Sequence, residues 1–168
     1  MNSDRIFLQA IGPIEWQVMD FLKESLSCFW NAEILPGIEV PPEAYHKVRR
    51  QYDGSALIRA LSDNVMPVLG VTEADAYVDG LNYIFGLAAG KRAMISLKRL
   101  RQEFYGLAED DDLLKQRAQK EAMHELGHIL GLDHCPDKHC VMYFSNSILD
   151  TDFKDWRYCG RCEWKAMR

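Results

Sequence analysis

A sheet layered on helices, α+β or α/β, with a small metal-stapled portion at the C-terminus, is the fold class this sequence predicts. Three observations carry it. Strand-like and helix-like stretches alternate over residues 6–100, and a long helical stretch follows over about 111–130. Four of the five cysteines then gather between 135 and 162, in two short pairs. At 168 residues, 48% apolar and 27% charged, the chain is one ordinary globular domain and too short for two independent ones.

The elements follow in order. Residues 6–11 read as a short buried strand, stopped by Gly12-Pro13. From 14 to 30, Trp16, Met19, Leu22 and Leu26 recur at helical spacing, with Glu15, Asp20, Lys23 and Glu24 largely off that stripe. The stripe is expected in the core, and Cys28, in the same apolar stretch, reads as a buried structural cysteine. Residues 32–40 are a second strand candidate, 52–61 a short helix, and 65–71 a strand running into the loop 72–76. Two more strands are expected at 83–88 and 93–100, parted by Gly90-Lys91. The acidic run 109–112 complements a helix dipole at its N-terminus, so the long helix is placed from 111–113 to near Leu130.

That helix carries the most informative stretch of the chain, His124-Glu125-Leu126-Gly127-His128-Ile129-Leu130-Gly131-Leu132-Asp133-His134. Residues four apart share a helix face, so His124 and His128 aim two imidazoles at one ion. His134 joins them only if the chain turns sharply first, and Gly131 is the residue able to take the positive φ of a helix C-terminus. Three imidazoles leave the fourth position of a tetrahedral zinc open for water, and Glu125 stands beside the first ligand as a general base. Chance would produce this extended pattern in on the order of one chain of this size in a hundred thousand.

A second constellation begins at once. Cys135 and Cys140, then Cys159 and Cys162, form two short knuckles of the kind that close a tetrahedral sulfur site around a structural Zn2+. Two disulfides are the alternative and need an oxidising compartment. His139 reads as a surface residue or one that supports the site from behind.

Together these residues resemble the archaemetzincins, a family of metzincin-type zinc metallopeptidases. The match runs from His124 through Cys140 to Met142 and resumes at Cys159 and Cys162, with softer likeness through residues 82–88. The resemblance implies a metzincin-like α+β fold with a mixed sheet over long helices. Residues 1–134 would form an upper subdomain and 135–168 a lower one carrying the four-cysteine zinc and a Met-turn at Met142. It also implies that His124, His128 and His134 hold a catalytic Zn2+, two ions in all, and that Glu125 moves the proton as a peptide bond is hydrolysed. The strand near 83–87 would be the antiparallel edge bordering the cleft, open to an extended peptide. Astacin-like relatives place a Tyr two residues after the Met. Here that residue is Phe144, and Tyr143, one position off, is not expected to take its role.

Net charge of −5 argues against a nucleic-acid binder, and the short clusters Arg49-Arg50 and Lys98-Arg99 with Arg101 read as solvated faces. No apolar run is long enough for a membrane span, and residues 1–5 do not read as a signal peptide, so a cytoplasmic monomer acting on peptides or proteins is expected. Two other readings stay open: a peptide-binding module with vestigial hydrolysis, and a redox sensor built on the cysteines. An aminopeptidase would need a carboxylate near the cleft, for which Asp79, Asp133 and Asp150 are candidates.

Overall fold

The computed structural model describes residues 5–168; residues 1–4, on which the expected absence of a signal peptide partly rests, lie outside the described residues. Its elements are β1 (Arg5–Ile11), α1 (Trp16–Leu26), β2 (Asn31–Ile34), β3 (Tyr45–His46), β4 (Gln51–Asp53), α2 (Gly54–Ala60), β5 (Val68–Thr72) and β6 (Ala76–Tyr77). They continue with β7 (Gly86–Ala89), β8 (Arg92–Ser96), α3 (Asp111–Ile129), α4 (Ile148–Phe153) and α5 (Gly160–Ala166). Five strands form a mixed sheet in the order β2-β1-β5-β8-β7, parallel except for β7, which runs antiparallel to β8 at one edge. A second, small sheet joins β3, β4 and β6.

Strand residues alternate between two cores, as the period of two requires. Ile6 and Leu8 of β1, Leu69 and Val71 of β5, and Ala93 and Ile95 of β8 face α1 and α3. Phe7, Val68 and Met94 face Ala56, Leu57 and Ile58 of α2. The sheet is therefore covered on both faces, which suits the nearly continuous apolar runs of β5 and β8. Cys135, Cys140, Val141, Met142 and Cys162 belong to the same core as α1 and α3, so the C-terminal portion leans on α3 instead of building a core of its own.

Several expectations need correction. The helix read over 14–30 is shorter, and Trp16, placed in its apolar stripe, is 63% exposed at the first turn; Val18 joins Met19, Leu22 and Leu26 inside. Cys28 lies past the helix end and is exposed, not buried. The strand read over 32–40 stops at Ile34, and Ile38 makes only an isolated bridge to Ile11. In the second basic cluster Lys98 is exposed as expected, but Arg99 and Arg101 are half-buried in ion pairs, while Arg49 and Arg50 are exposed. Arg99 pairs with Asp75 at 2.7 Å, and Arg101 pairs with Glu73 and Glu15 at 2.6 and 2.8 Å. Arg49 donates to the carbonyls of Leu81 and Asn82 at 2.7 and 3.2 Å, tying down the loop that precedes β7.

Candidate metal centres and active-site cleft

α3 begins where the Asp110 carboxylate accepts from the Leu113 N–H at 2.9 Å, with Asp111 and Asp112 in the first turn complementing the dipole. It ends in a Schellman motif. Leu132 N–H reaches the Gly127 carbonyl and Gly131 N–H reaches that of His128, each at 2.9 Å, with Gly131 at φ 84. This tight stop turns the chain back so that His134 meets the two histidines left behind on the helix. The three ring centroids lie 4.8 to 5.3 Å apart.

The imidazoles are already set as ligands. His124 Nδ1 lies 2.8 Å from the Val141 carbonyl and His128 Nδ1 2.8 Å from that of Leu132. A carbonyl can only accept, so each Nδ1 carries the proton and each Nε2 presents a lone pair. The two Nε2 atoms face each other at 3.1 Å, an arrangement that repels unless a cation sits between them. Burial, with Lys154 as the next cause, holds His124 well below the ordinary imidazole range, and burial also lowers His134, so both are neutral near pH 7. The donor set fits a zinc ion.

Glu125 is buried beside His124, and burial raises its carboxyl well above the usual range, with Glu121 adding to the rise and Lys154 opposing it. A Cβ on Gly86, the first residue of β7, would stand 2.5 Å from Glu125 Oε1, so only glycine lets the strand backbone lie against this carboxylate. On the far side, the sulfur of fully buried Met142 fills the place a side chain on Gly127 would take.

The four cysteines also gather. Their sulfurs lie within 4.8 Å of one another and all four are free thiols. Cys135 and Cys159 Sγ are 3.9 Å apart, against about 2 Å for a disulfide. Zn–S bonds of about 2.3 Å in a tetrahedron put sulfurs roughly 3.8 Å apart, so the spacing fits a closed thiolate site. Burial pushes the Cys140 and Cys162 thiols up. At Cys135 burial acts the same way but is outweighed by the Asp137 N–H and the Arg161 guanidinium, which bring it down to about 7. His139 is exposed, its ring 4.9 Å from that of Phe153.

A cleft of about 200 Å³ opens beside His124, lined above by residues 81–86, below by Phe144, Ser145 and Asn146, and at its floor by Glu121, His124 and Glu125. Phe144 packs against His134 with the rings tilted at 51° and 5.0 Å between centroids, while Tyr143 does not line the cleft. Nor do Asp79, Asp133 or Asp150, the carboxylates considered as amine anchors; Asp150 instead caps α4 through the N–H groups of Asn146 and Ser147.

One buried group had no sequence signal. Lys154 is fully buried, its Nζ 3.1 Å from Glu121 Oε1 and 3.4 Å from the Tyr143 carbonyl. Thr151 donates to the same Glu121 oxygen at 3.0 Å. Arg117 adds a two-point contact to Asp152 at 2.7 Å, so charged side chains of α3 grip α4 and the turn after Met142. Glu121, one helical turn before Glu125, could have been found from its i, i+4 spacing.

With this geometry in hand, comparisons with known proteins agree. The profile of Peptidase family M54 matches residues 14–168. The archaemetzincin of Methanocaldococcus jannaschii is 52% identical over 161 residues, covering 94% of this chain and 90% of that protein. The crystal structure of the archaemetzincin from Archaeoglobus fulgidus superposes with a TM-score of 0.85 at 38% identity, covering 96% of this chain and 99% of the other. That of a zinc-dependent peptidase from Methanocorpusculum labreanum gives 0.82 at 27% identity, with 96% and 99% covered.

Proposed function

The chain belongs to peptidase family M54, the archaemetzincins, and is a zinc metallopeptidase; from that premise we propose which residues do the work. His124, His128 and His134 hold the catalytic ion, Cys135, Cys140, Cys159 and Cys162 hold a second, structural one, and Glu125 is the general base. The observation that carries this reading is the Glu125 carboxyl group, buried beside His124 of the three-imidazole cluster at the floor of a cleft bounded by an edge strand.

Bound zinc supplies the Lewis acidity that polarises the scissile carbonyl and acidifies the attacking water, and its charge favours the carboxylate form of Glu125. The protein does the rest. The antiparallel edge strand β7 takes an extended peptide by strand addition, which lays the scissile bond over the helix. Glu125 accepts the proton of the attacking water and returns it to the departing amine nitrogen. Phe144 roofs His134 without offering a hydroxyl, so no side chain at that position supports the oxyanion. The upper subdomain, 1–134 in the sequence, lines the top of the cleft with residues 81–86, and the lower, 135–168, lines the bottom with Phe144, Ser145 and Asn146. A cytoplasmic setting suits four unpaired cysteines, which reducing conditions keep as thiolate ligands. With a net charge of −5, the substrate is peptide or protein and not nucleic acid, and the enzyme works as a monomer.

The test is Glu125→Gln. It should retain two zinc ions per chain by elemental analysis and the wild-type fold, while turnover of a peptide library falls by roughly 10²–10⁴-fold. A wild-type protein that carries both ions yet cleaves nothing would favour the peptide-binding module instead.

A further inference from the structure

One hydroxyl in the cleft is engaged by nothing in the protein. Ser145 lies on the lower rim between Phe144, whose ring packs tilted against His134, and Asn146, whose carbonyl accepts from the Tyr83 hydroxyl at 2.9 Å. The Ser145 Oγ is buried and has no hydrogen-bond partner. A buried polar group left unpaired destabilises a fold, so one that persists at a ligand site points to a partner that arrives with the ligand.

The surroundings say what that partner is. Across the cleft, residues 81–86 lead into β7, whose outer edge is unpaired in the five-stranded sheet. Along an extended chain, successive residues turn their N–H and C=O groups to opposite sides. A peptide paired with β7 therefore directs every second residue's main-chain groups toward the lower rim, where Ser145 lies. The Tyr83–Asn146 hydrogen bond spans the two rims one residue from Ser145. Charge does not compete for this role: Glu121, the other carboxylate at the floor beside Glu125, is already engaged by Lys154 and Thr151.

We propose that the Ser145 hydroxyl is a substrate-positioning group that hydrogen-bonds the main chain of the peptide in the cleft, an inference that rests on the peptidase reading above. It is indifferent to side-chain identity and completes its hydrogen bonding only in the complex.

The experiment measures calorimetric affinities of zinc-loaded Glu125→Gln protein, with and without Ser145→Ala or Ser145→Thr, for a panel of acetylated, amidated peptides differing in side chains. Thermal melts of the peptide-free proteins accompany them. Ser145→Ala should weaken every peptide by a similar factor, about 3- to 10-fold, and Ser145→Thr should restore most of it. The melting temperature of Ser145→Ala should equal or exceed that of its parent, because an unpaired buried hydroxyl has been removed; a structural role would lower it. Unchanged affinities, a loss confined to one side-chain type, or a lowered melting temperature overturns the proposal, as does a panel that binds none of the proteins. If peptides bind and Ser145→Ala weakens them, but wild type cleaves none, the peptidase reading falls and the Ser145 contact stands.

Discussion

Three imidazoles on one side of the His134–Cys135 peptide bond and four thiols on the other are held by different kinds of structure. The histidines are positioned by backbone structure, two on a nineteen-residue helix and one behind a Schellman turn, with the carbonyls of Val141 and Leu132 orienting two of the rings. The cysteines sit in turns and at the start of α5, a helix of seven residues, within a portion that leans on the core of α3. Preorganisation by backbone lets a site stay open to substrate, whereas a site without it must use the ion itself as the organiser.

The largest expected effect tests that contrast directly. Cys140→Ser should loosen the whole of residues 135–168, since structural zinc contributes apparent binding free energies of about 10–16 kcal/mol to small metal-dependent folds. His128→Ala should abolish turnover yet leave the melting transition near wild type. Limited proteolysis and circular dichroism read both, and equal losses of structure in the two variants would break the comparison.

Next comes the charged grip between the regions. Lys154→Met strands Glu121 in the interior and should cost about 3–5 kcal/mol in denaturant unfolding, as breaking one side of a buried pair does. The double variant Lys154→Met/Glu121→Leu should recover much of that loss. Failure to recover would mean that the pair contributes more than mutual neutralisation.

The smallest effect concerns the rim. Tyr143→Phe should change kcat/KM by less than a few-fold, because Tyr143 does not line the cleft. A fall of about 10²-fold with both ions retained would make that hydroxyl an oxyanion donor.

How much of this was legible beforehand follows from the range of the interactions. The helix α3, its acidic start, its glycine stop and the seven residues proposed as ligands lie within a short stretch or in fixed spacings, and local rules read them. The edge position of the strand near Tyr83 came from family resemblance and agrees with the pairing of β7. The strands β3, β4 and β6 are two or three residues long and carry no alternation to detect. Trp16 sits on the helical stripe, but as the first residue of α1 it escapes the core that covers Leu22. Lys154 was invisible for a different reason. Its neighbours Asp152 and Asp155 look like a solvated surface, and only the fold brings Glu121 to it.

The bare backbone at Gly86 has a consequence for selectivity. Because no side chain intervenes between Gly86 and Glu125, a peptide paired with β7 lies one interstrand step of about 4.8 Å from the strand whose bare backbone touches the base. That step is the same for every amino-acid sequence. The reacting bond is thus gauged by a ruler blind to what the substrate carries, and any preference among substrates has to be exercised further along the cleft, in the pockets that receive side chains.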